Sequence, residues 1–155
     1  MSSWQVQKIL GPYGQGDPRL WRQAQDLDHQ YSAAPWAAQA WREINEHYEL
    51  AVICSAAAGM VPAFGLVRLG LEQDLHLLNL TVHPRWRQQG LGLAILSSWQ
   101  QGPWQSIYLE VDPQNAAALG LYTKQGFKTL CHKKGFYADG RAAIAMQWAA
   151  AGDQA

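Results

Sequence analysis

RWRQQGLGLAIL, residues 85–96, sets two arginines, two glutamines and two glycines directly before an apolar run. Upstream, DLHLLNLTV (74–82) has the composition of a strand, and His83-Pro84 makes a turn. The order is therefore strand, turn, helix. The first turn of a helix leaves backbone N–H groups without intrahelical partners, and its dipole favours an anion there. Glycines at 90 and 92 remove side chains that would hold a pyrophosphate away from those donors. A P-loop is disfavoured, because Gly-x-x-x-x-Gly-Lys-Ser/Thr is missing. The dinucleotide fingerprint is disfavoured as well: its third glycine position is Ile95, and the strands before it do not form a βαβ repeat. An anion cradle and a plain glycine-bearing helix start remain.

Working outward, WQVQKI (4–9) alternates as a half-buried strand does, and GPYGQGDP (11–18) reads as a loop. Leu20, Trp21, Ala24 and Leu27 recur at helical spacing behind Asp17-Pro18, a cap followed by a first-turn proline. A second helix is expected after Pro35, with Trp36, Ala40, Trp41 and Ile44 on one face. ELAVICSA (49–56), MVPAFGLVRL (60–69) and 74–82 predict an antiparallel meander. In its last strand, alternation places Leu75, Leu77 and Asn79 on one face and His76, Leu78 and Leu80 on the other. A helix from Leu91 to Gly102, a strand at 106–111 and a helix at 115–126 between Asn115 and Gly126 follow. Two strands, 127–134 and 142–149, close the chain around Ala138-Asp139-Gly140. The expected fold is α/β (α+β), one domain over 1–155, with a mixed, mostly antiparallel sheet in the order βααβββαβαββ.

Length and composition agree: 155 residues suit one domain, and 48% hydrophobic residues with eight Trp supply a core. Twelve basic and twelve acidic residues produce no global field for nucleic acid or an anionic membrane. Neither a secretory signal nor a run of roughly 20 apolar residues is visible, so the expected location is cytoplasmic. Cys54 and Cys131 lack ligand spacing and are expected to be buried, inert thiols, and no metal is expected. Oligomeric state is not readable.

Arg/Gln-x-x-Gly-x-Gly/Ala at this place resembles the coenzyme A pyrophosphate loop of the GNAT acetyltransferase superfamily, which likewise follows the fourth strand. YLEVDPQNAAALGLYTKQGF (108–127), Pro35-Trp36 and KKGFYADG (133–140) resemble, more narrowly, RimI-type ribosomal protein alanine N-acetyltransferases. The resemblance implies acetyl-CoA as co-substrate and a protein N-terminus, that of a ribosomal protein, as acceptor. It implies that the strand end Leu80, Thr81 and Val82 pairs with the pantetheine arm. Gln88, Gln89, Gly90, Leu91, Gly92 and Leu93 would then hold the pyrophosphate, and Asn115 would touch the coenzyme. It makes Glu110 the general base and Tyr122 the general acid, and sets Trp36 and Tyr137 at the acceptor entrance.

Acetyl transfer to an amine needs a neutral nucleophile, oxyanion stabilisation and a proton for the leaving thiolate. Glu110, between Leu109 and Val111, is expected to be partly desolvated with a raised pKa; the plainer reading is a solvent-facing or helix-capping carboxylate. Tyr122 and Tyr137 have plainer readings as packing aromatics, Asn115 as a helix cap, Trp36 as a helix anchor and His83 as a turn residue. An α-amine, with a reference pKa of about 7.7–8.0 against about 10.4 for lysine, asks less of a single carboxylate and favours an N-terminal acceptor. The chain departs from the RimI-type pattern at Asp112-Pro113-Gln114-Asn115, where Arg-x-x-Asn is usual, and at Ala142-Ala143, where Asp-Ala is usual. Those departures bear on the acceptor more than on the chemistry. A GNAT acting on a small amine and a non-catalytic acyl-CoA binder are the rival readings.

Overall fold

A computed structural model of the chain describes residues 4–54 and 59–151. The elements are β1 (Gln5–Leu10), α1 (Pro18–Tyr31), α2 (Ala38–Arg42), β2 (Tyr48–Cys54), β3 (Ala63–Leu69) and β4 (Asp74–Val82). Then follow α3 (Leu91–Gln100), β5 (Ser106–Val111), α4 (Ala116–Lys124), β6 (Lys128–Lys133) and β7 (Ala143–Ala149). The predicted order is the observed one. Local chemistry starts the helices as expected: the Asp17 carboxylate accepts from Arg19 N at 3.0 Å before Pro18, and Asn115 Oδ1 accepts from Ala118 N at 3.1 Å. Gly126, with φ +91°, follows the end of α4.

The strands form one seven-stranded sheet in the order β1-β2-β3-β4-β5-β7-β6, antiparallel except where β4 meets β5. On one face, α3 and α4 cover Ile53, Val67, Leu75, Leu77, Ile107 and Leu109. On the other, α1 and α2 bring Trp21 and Trp41 onto Leu50, Val52, Phe64 and Leu66. Trp21, Trp41 and Trp99 are fully buried; at ~25 cal/mol per Å² over roughly 150–250 Å², each contributes on the order of 4–6 kcal/mol. Gly65 lets α3 approach closely, since a Cβ there would lie 2.9 Å from Ile95 Cγ2 and 3.0 Å from the Trp99 ring.

Two features of β4 position the site. Its pairing with β3 shifts between Leu66↔Asn79 and Val67↔Leu77, leaving Leu78 as an extra residue. This bulge inverts the faces. Leu75 and Leu77 lie in the α3/α4 core and Leu80 and Val82 pack against it, whereas Asn79 bonds to Asp28 of α1 on the opposite face. The alternation expected from sequence is therefore corrected beyond Leu77. The parallel pairing with β5 also stops at Leu77↔Leu109, so the ends of the two strands separate.

Other expectations need adjustment. The second helix is only the five residues Ala38–Arg42, with Trp36 before it and Ile44 after it. Both are anchored by side-chain packing in the α1/α2 core. Cys131 is exposed on β6 at the sheet edge and Cys54 is half-buried, so neither is the buried thiol expected. Residues 55 and 56, read as the end of the second strand, lie outside the described residues.

Candidate active site

The loop between β4 and α3 begins with a short 3-10 turn at Pro84–Trp86, capped by His83 Nδ1, which accepts from Arg85 N at 3.1 Å. Arg87 folds back, its Nε donating to Val82 O at 3.0 Å, so this arginine fastens the loop to β4. Gln88 (φ +62°) and Gly90 (φ +80°) then turn the chain through left-handed conformations into α3. For Gln88 that conformation stores strain of about 1–2 kcal/mol. Among the described residues, the backbone N–H groups of Gln88, Gln89, Gly90, Leu91, Gly92 and Leu93 have no protein acceptor. Six consecutive free donors at a helix start form the concavity that an anion fills. The two glycines differ: Gly90 is required by its φ, whereas a Cβ on Gly92 would make only ordinary contacts with Leu121, Val82 and Leu80. Those contacts place the cradle beside the separated end of β4 and beside α4.

The separation divides the candidate catalytic groups. On β5, Ile107, Leu109 and Val111 face the α3/α4 core, which also holds Tyr122. Glu110, like Tyr108, points to the other face. Glu110 and Tyr122 thus flank the sheet from opposite sides where β4 and β5 part. Leu80, Thr81 and Val82 line that gap on backbone that pairs with β3 and not with β5.

The Glu110 side chain is 8% exposed, with Oε1 2.5 Å from His76 Nε2 and Oε2 3.5 Å from Lys133 Nζ. Burial pushes its pKa up, but the His76 hydrogen bond and electrostatic interaction together with Lys133 outweigh burial and hold it below the ordinary value. The expected raised pKa is overturned, because sequence could not show that His76 and Lys133 meet this carboxylate. Burial, with a contribution from Tyr137, drives the Tyr122 phenol well above its ordinary value, so it stays protonated at neutral pH. Its ring packs on Phe127 at 5.5 Å.

Tyr137 is half-buried and feels both Asp112 and Glu110; burial first, then those charges, raise its pKa against the lowering effect of Arg141. Arg141 stacks over the Tyr137 ring at 5.1 Å, pairs with Asp112 and donates from Nε to Asp139 Oδ2 at 2.7 Å. Asp112, the departure at the end of β5, is therefore clamped by an arginine from the closing hairpin. Trp36 sits at 6.0 Å from Trp41 as a helix anchor. The Asn115 carbonyl is committed to its cap. His83 contacts Tyr31, Oη to Nε2, at 3.3 Å.

Sequence reading missed Asp28, which is fully buried in α1. Its Oδ2 accepts from Trp36 N at 2.8 Å and Trp41 Nε1 at 2.9 Å, and its Oδ1 from Asn79 Nδ2 at 2.8 Å. Asn79 Oδ1 accepts from Thr81 Oγ1 at 2.7 Å. The chain of bonds ties α1 to the separated end of β4. An acidic residue on the apolar side of the first helix was the available signal. It missed His76 as well, reading it as an ordinary strand residue. Among the described residues, no group of three or more His, Cys, Asp or Glu is placed to hold a metal, and no helix is long and apolar enough to cross a membrane.

A family model described as an acetyltransferase (GNAT) domain matches residues 22–150. The [ribosomal protein bS18]-alanine N-acetyltransferase of Escherichia coli K12 is 27% identical over 124 residues, covering 76% of this chain and 82% of that one. An N-alpha-acetyltransferase of Sulfurisphaera tokodaii is 33% identical over 76 residues, 46% of each chain. The crystal structure of the Escherichia coli ribosomal-protein-S18-alanine N-acetyltransferase aligns with a TM-score of 0.79 at 25% identity over 99% of both chains. Ard1 from Thermoplasma volcanium shares the fold, with a TM-score of 0.75 at 20% identity over 95% of this chain and 97% of that one.

Proposed function

The chain belongs to the GNAT family of acetyltransferases and is an N-acetyltransferase; from that premise we propose that it moves the acetyl group of acetyl-CoA to the N-terminal α-amine of a protein, with a ribosomal protein beginning in alanine as the leading candidate. The observation that carries this reading is the parting of β4 and β5 beside six free N–H donors, with Glu110 on one face of the sheet and Tyr122 on the other. Similarity to the bS18-alanine and N-alpha enzymes supports the acceptor class. The matched span of 22–150 supports reading 1–155 as one catalytic domain.

In this reading the N–H groups of Gln88 to Leu93 bind the pyrophosphate, and the unpaired edge of Leu80, Thr81 and Val82 bonds the pantetheine arm as an added strand would. Acetyl-CoA supplies the thioester. The Val82 N–H polarises the carbonyl, and Asn115 lies beside the coenzyme. Glu110, ionised at neutral pH, takes the proton of the ammonium, directly or through one water, to leave a neutral nucleophile. An α-amine, with its reference pKa of about 7.7–8.0, demands little of a base whose own pKa is low. As the C–N bond forms and the C–S bond breaks, Tyr122 Oη donates to the departing thiolate, whose proton affinity rises in the same desolvated core, and the tyrosinate is reprotonated by the second proton that the acylated nitrogen loses. Tyr137 and Trp36 border the acceptor side.

Thiol release from acetyl-CoA, measured with peptides starting in Ala, Ser or Met beside free amines and internal-lysine peptides, tests the proposal. Turnover is expected with the N-terminal peptides, Ala foremost. Activity confined to free small amines refutes the acceptor class.

A further inference from the structure

The face of the sheet opposite α3 and α4 carries a polar group that crosses three strands. Arg68 on β3 is paired with His76 on β4, which is paired with Tyr108 on β5, and Glu110 lies two residues beyond Tyr108 on the same face. Arg68 Nη2 lies 3.4 Å from His76 Nδ1. An arginine only donates, so His76 Nδ1 is the acceptor, and in the neutral ring the proton sits on Nε2. That N–H is 2.5 Å from Glu110 Oε1. The Tyr108 ring meets the His76 ring edge-on at 5.0 Å and fixes its plane. Lys133 reaches across the small residues of β7 to the Tyr108 ring at 5.1 Å and to Glu110 Oε2 at 3.5 Å.

We infer that His76 is the positioning residue of Glu110: held by Arg68 in the tautomer with its proton on Nε2, it takes one carboxylate oxygen and leaves Oε2, beside Lys133, to receive the acceptor's proton. This rests on the reading of Glu110 as the base. The groups facing the pair are Arg68 from β3, Tyr108 from β5, Lys133 from β6 and Tyr137 from the closing hairpin. Two of these observations are geometric, the strand register and the short Nε2 to Oε1 distance, and the donor-only chemistry of Arg68 stands apart from both. The electrostatics agree with them, since the Nε2–H hydrogen bond of His76 and the charge of Lys133 both favour the ionised carboxylate.

The test is the pH profile of kcat/KM for an Ala-starting peptide in wild type, H76L, H76Q, R68M and E110Q. For H76L we expect a loss of about 10- to 100-fold at neutral pH, the lower part of the range for acid–base groups. Its KM for acetyl-CoA stays within about twofold, since acid–base assistance acts on the chemical step. Its acid limb moves to higher pH, because burial still raises the Glu110 pKa while the histidine no longer lowers it. H76Q, whose amide donates from a similar place, restores much of the rate, and R68M shifts the limb the same way by less. If H76L does not fold, H76N, too short to reach the carboxylate, is measured in its place. An unmoved acid limb, whatever the loss of rate, overturns the inference and leaves His76 as a packing residue. Full activity in E110Q removes the base assignment and His76's role with it, whereas an inactive E110Q beside an unmoved H76L limb removes only the latter.

Discussion

Truncating Asp28 to alanine removes the acceptor of three donors at once: Trp36 N, Trp41 Nε1 and Asn79 Nδ2. The side chain is fully buried, so water replaces little of what is lost. Leaving a buried donor unpaired costs about 1–3 kcal/mol, and allowing for relaxation around Trp36, which is half-buried, the sum is roughly 4 kcal/mol. For a chain of this size that lowers Tm by about 8–16 °C. Asp28→Asn is a finer probe. The new amide can face Asn79 if Asn79 flips and the Thr81 hydroxyl turns to accept, so the bond chain survives without its charge at a cost of about 1–2 kcal/mol. Both variants are measured by thermal and urea unfolding, and by KM for acetyl-CoA, which should rise in Asp28→Ala because the separated end of β4 loses its tie to α1. A Tm for Asp28→Ala within about 3 °C of wild type would falsify the reasoning, as it corresponds to only ~1 kcal/mol.

Gly90→Ala meets nothing within 4 Å, so its expected cost of about 1–2 kcal/mol comes from φ +80° alone. Gly90→Asn, which tolerates that conformation better, should recover part of both the stability and the acetyl-CoA affinity; equal losses in the two variants would contradict a backbone origin. Gly65→Ala drives a Cβ to 2.9 Å from Ile95 Cγ2 and 3.0 Å from the Trp99 ring. A loss of about 1–3 kcal/mol in urea unfolding is expected, and a stabilised variant would show that α3 does not need this close approach. The Glu110 pKa in the folded chain lies below its ordinary 4.5. Its contacts with His76 and Lys133 therefore stabilise fully above pH 4.5, and that stability is lost as pH falls through the depressed value. The Tm gap between wild type and E110Q should narrow in acid; a gap that widens there would reverse the assigned sign.

What the sequence alone determines is local. Asp17-Pro18 and Asn115 start their helices as capping chemistry requires, and the order of eleven elements follows from period and punctuation. The segment at 85–96 announced a strand, a turn and a helix start whose N–H groups have no partner. Resemblance then pointed to Glu110 and Tyr122. The tertiary structure decided what depends on residues distant in sequence. The bulge at Leu78 is invisible in DLHLLNLTV, because alternation continues on paper while register against β3 shifts; yet it turns Asn79 to Asp28, 51 residues away. The pKa of Glu110 departs from the sequence expectation for a related reason: burial is legible from its neighbours Leu109 and Val111, whereas His76 and Lys133, 34 and 23 residues away, reverse its effect. Asp112 looked like a lost arginine until Arg141 arrived from the hairpin to pair with it. Spacing along the chain reports which face a residue prefers, but a charge is set by what the folded sheet brings against it.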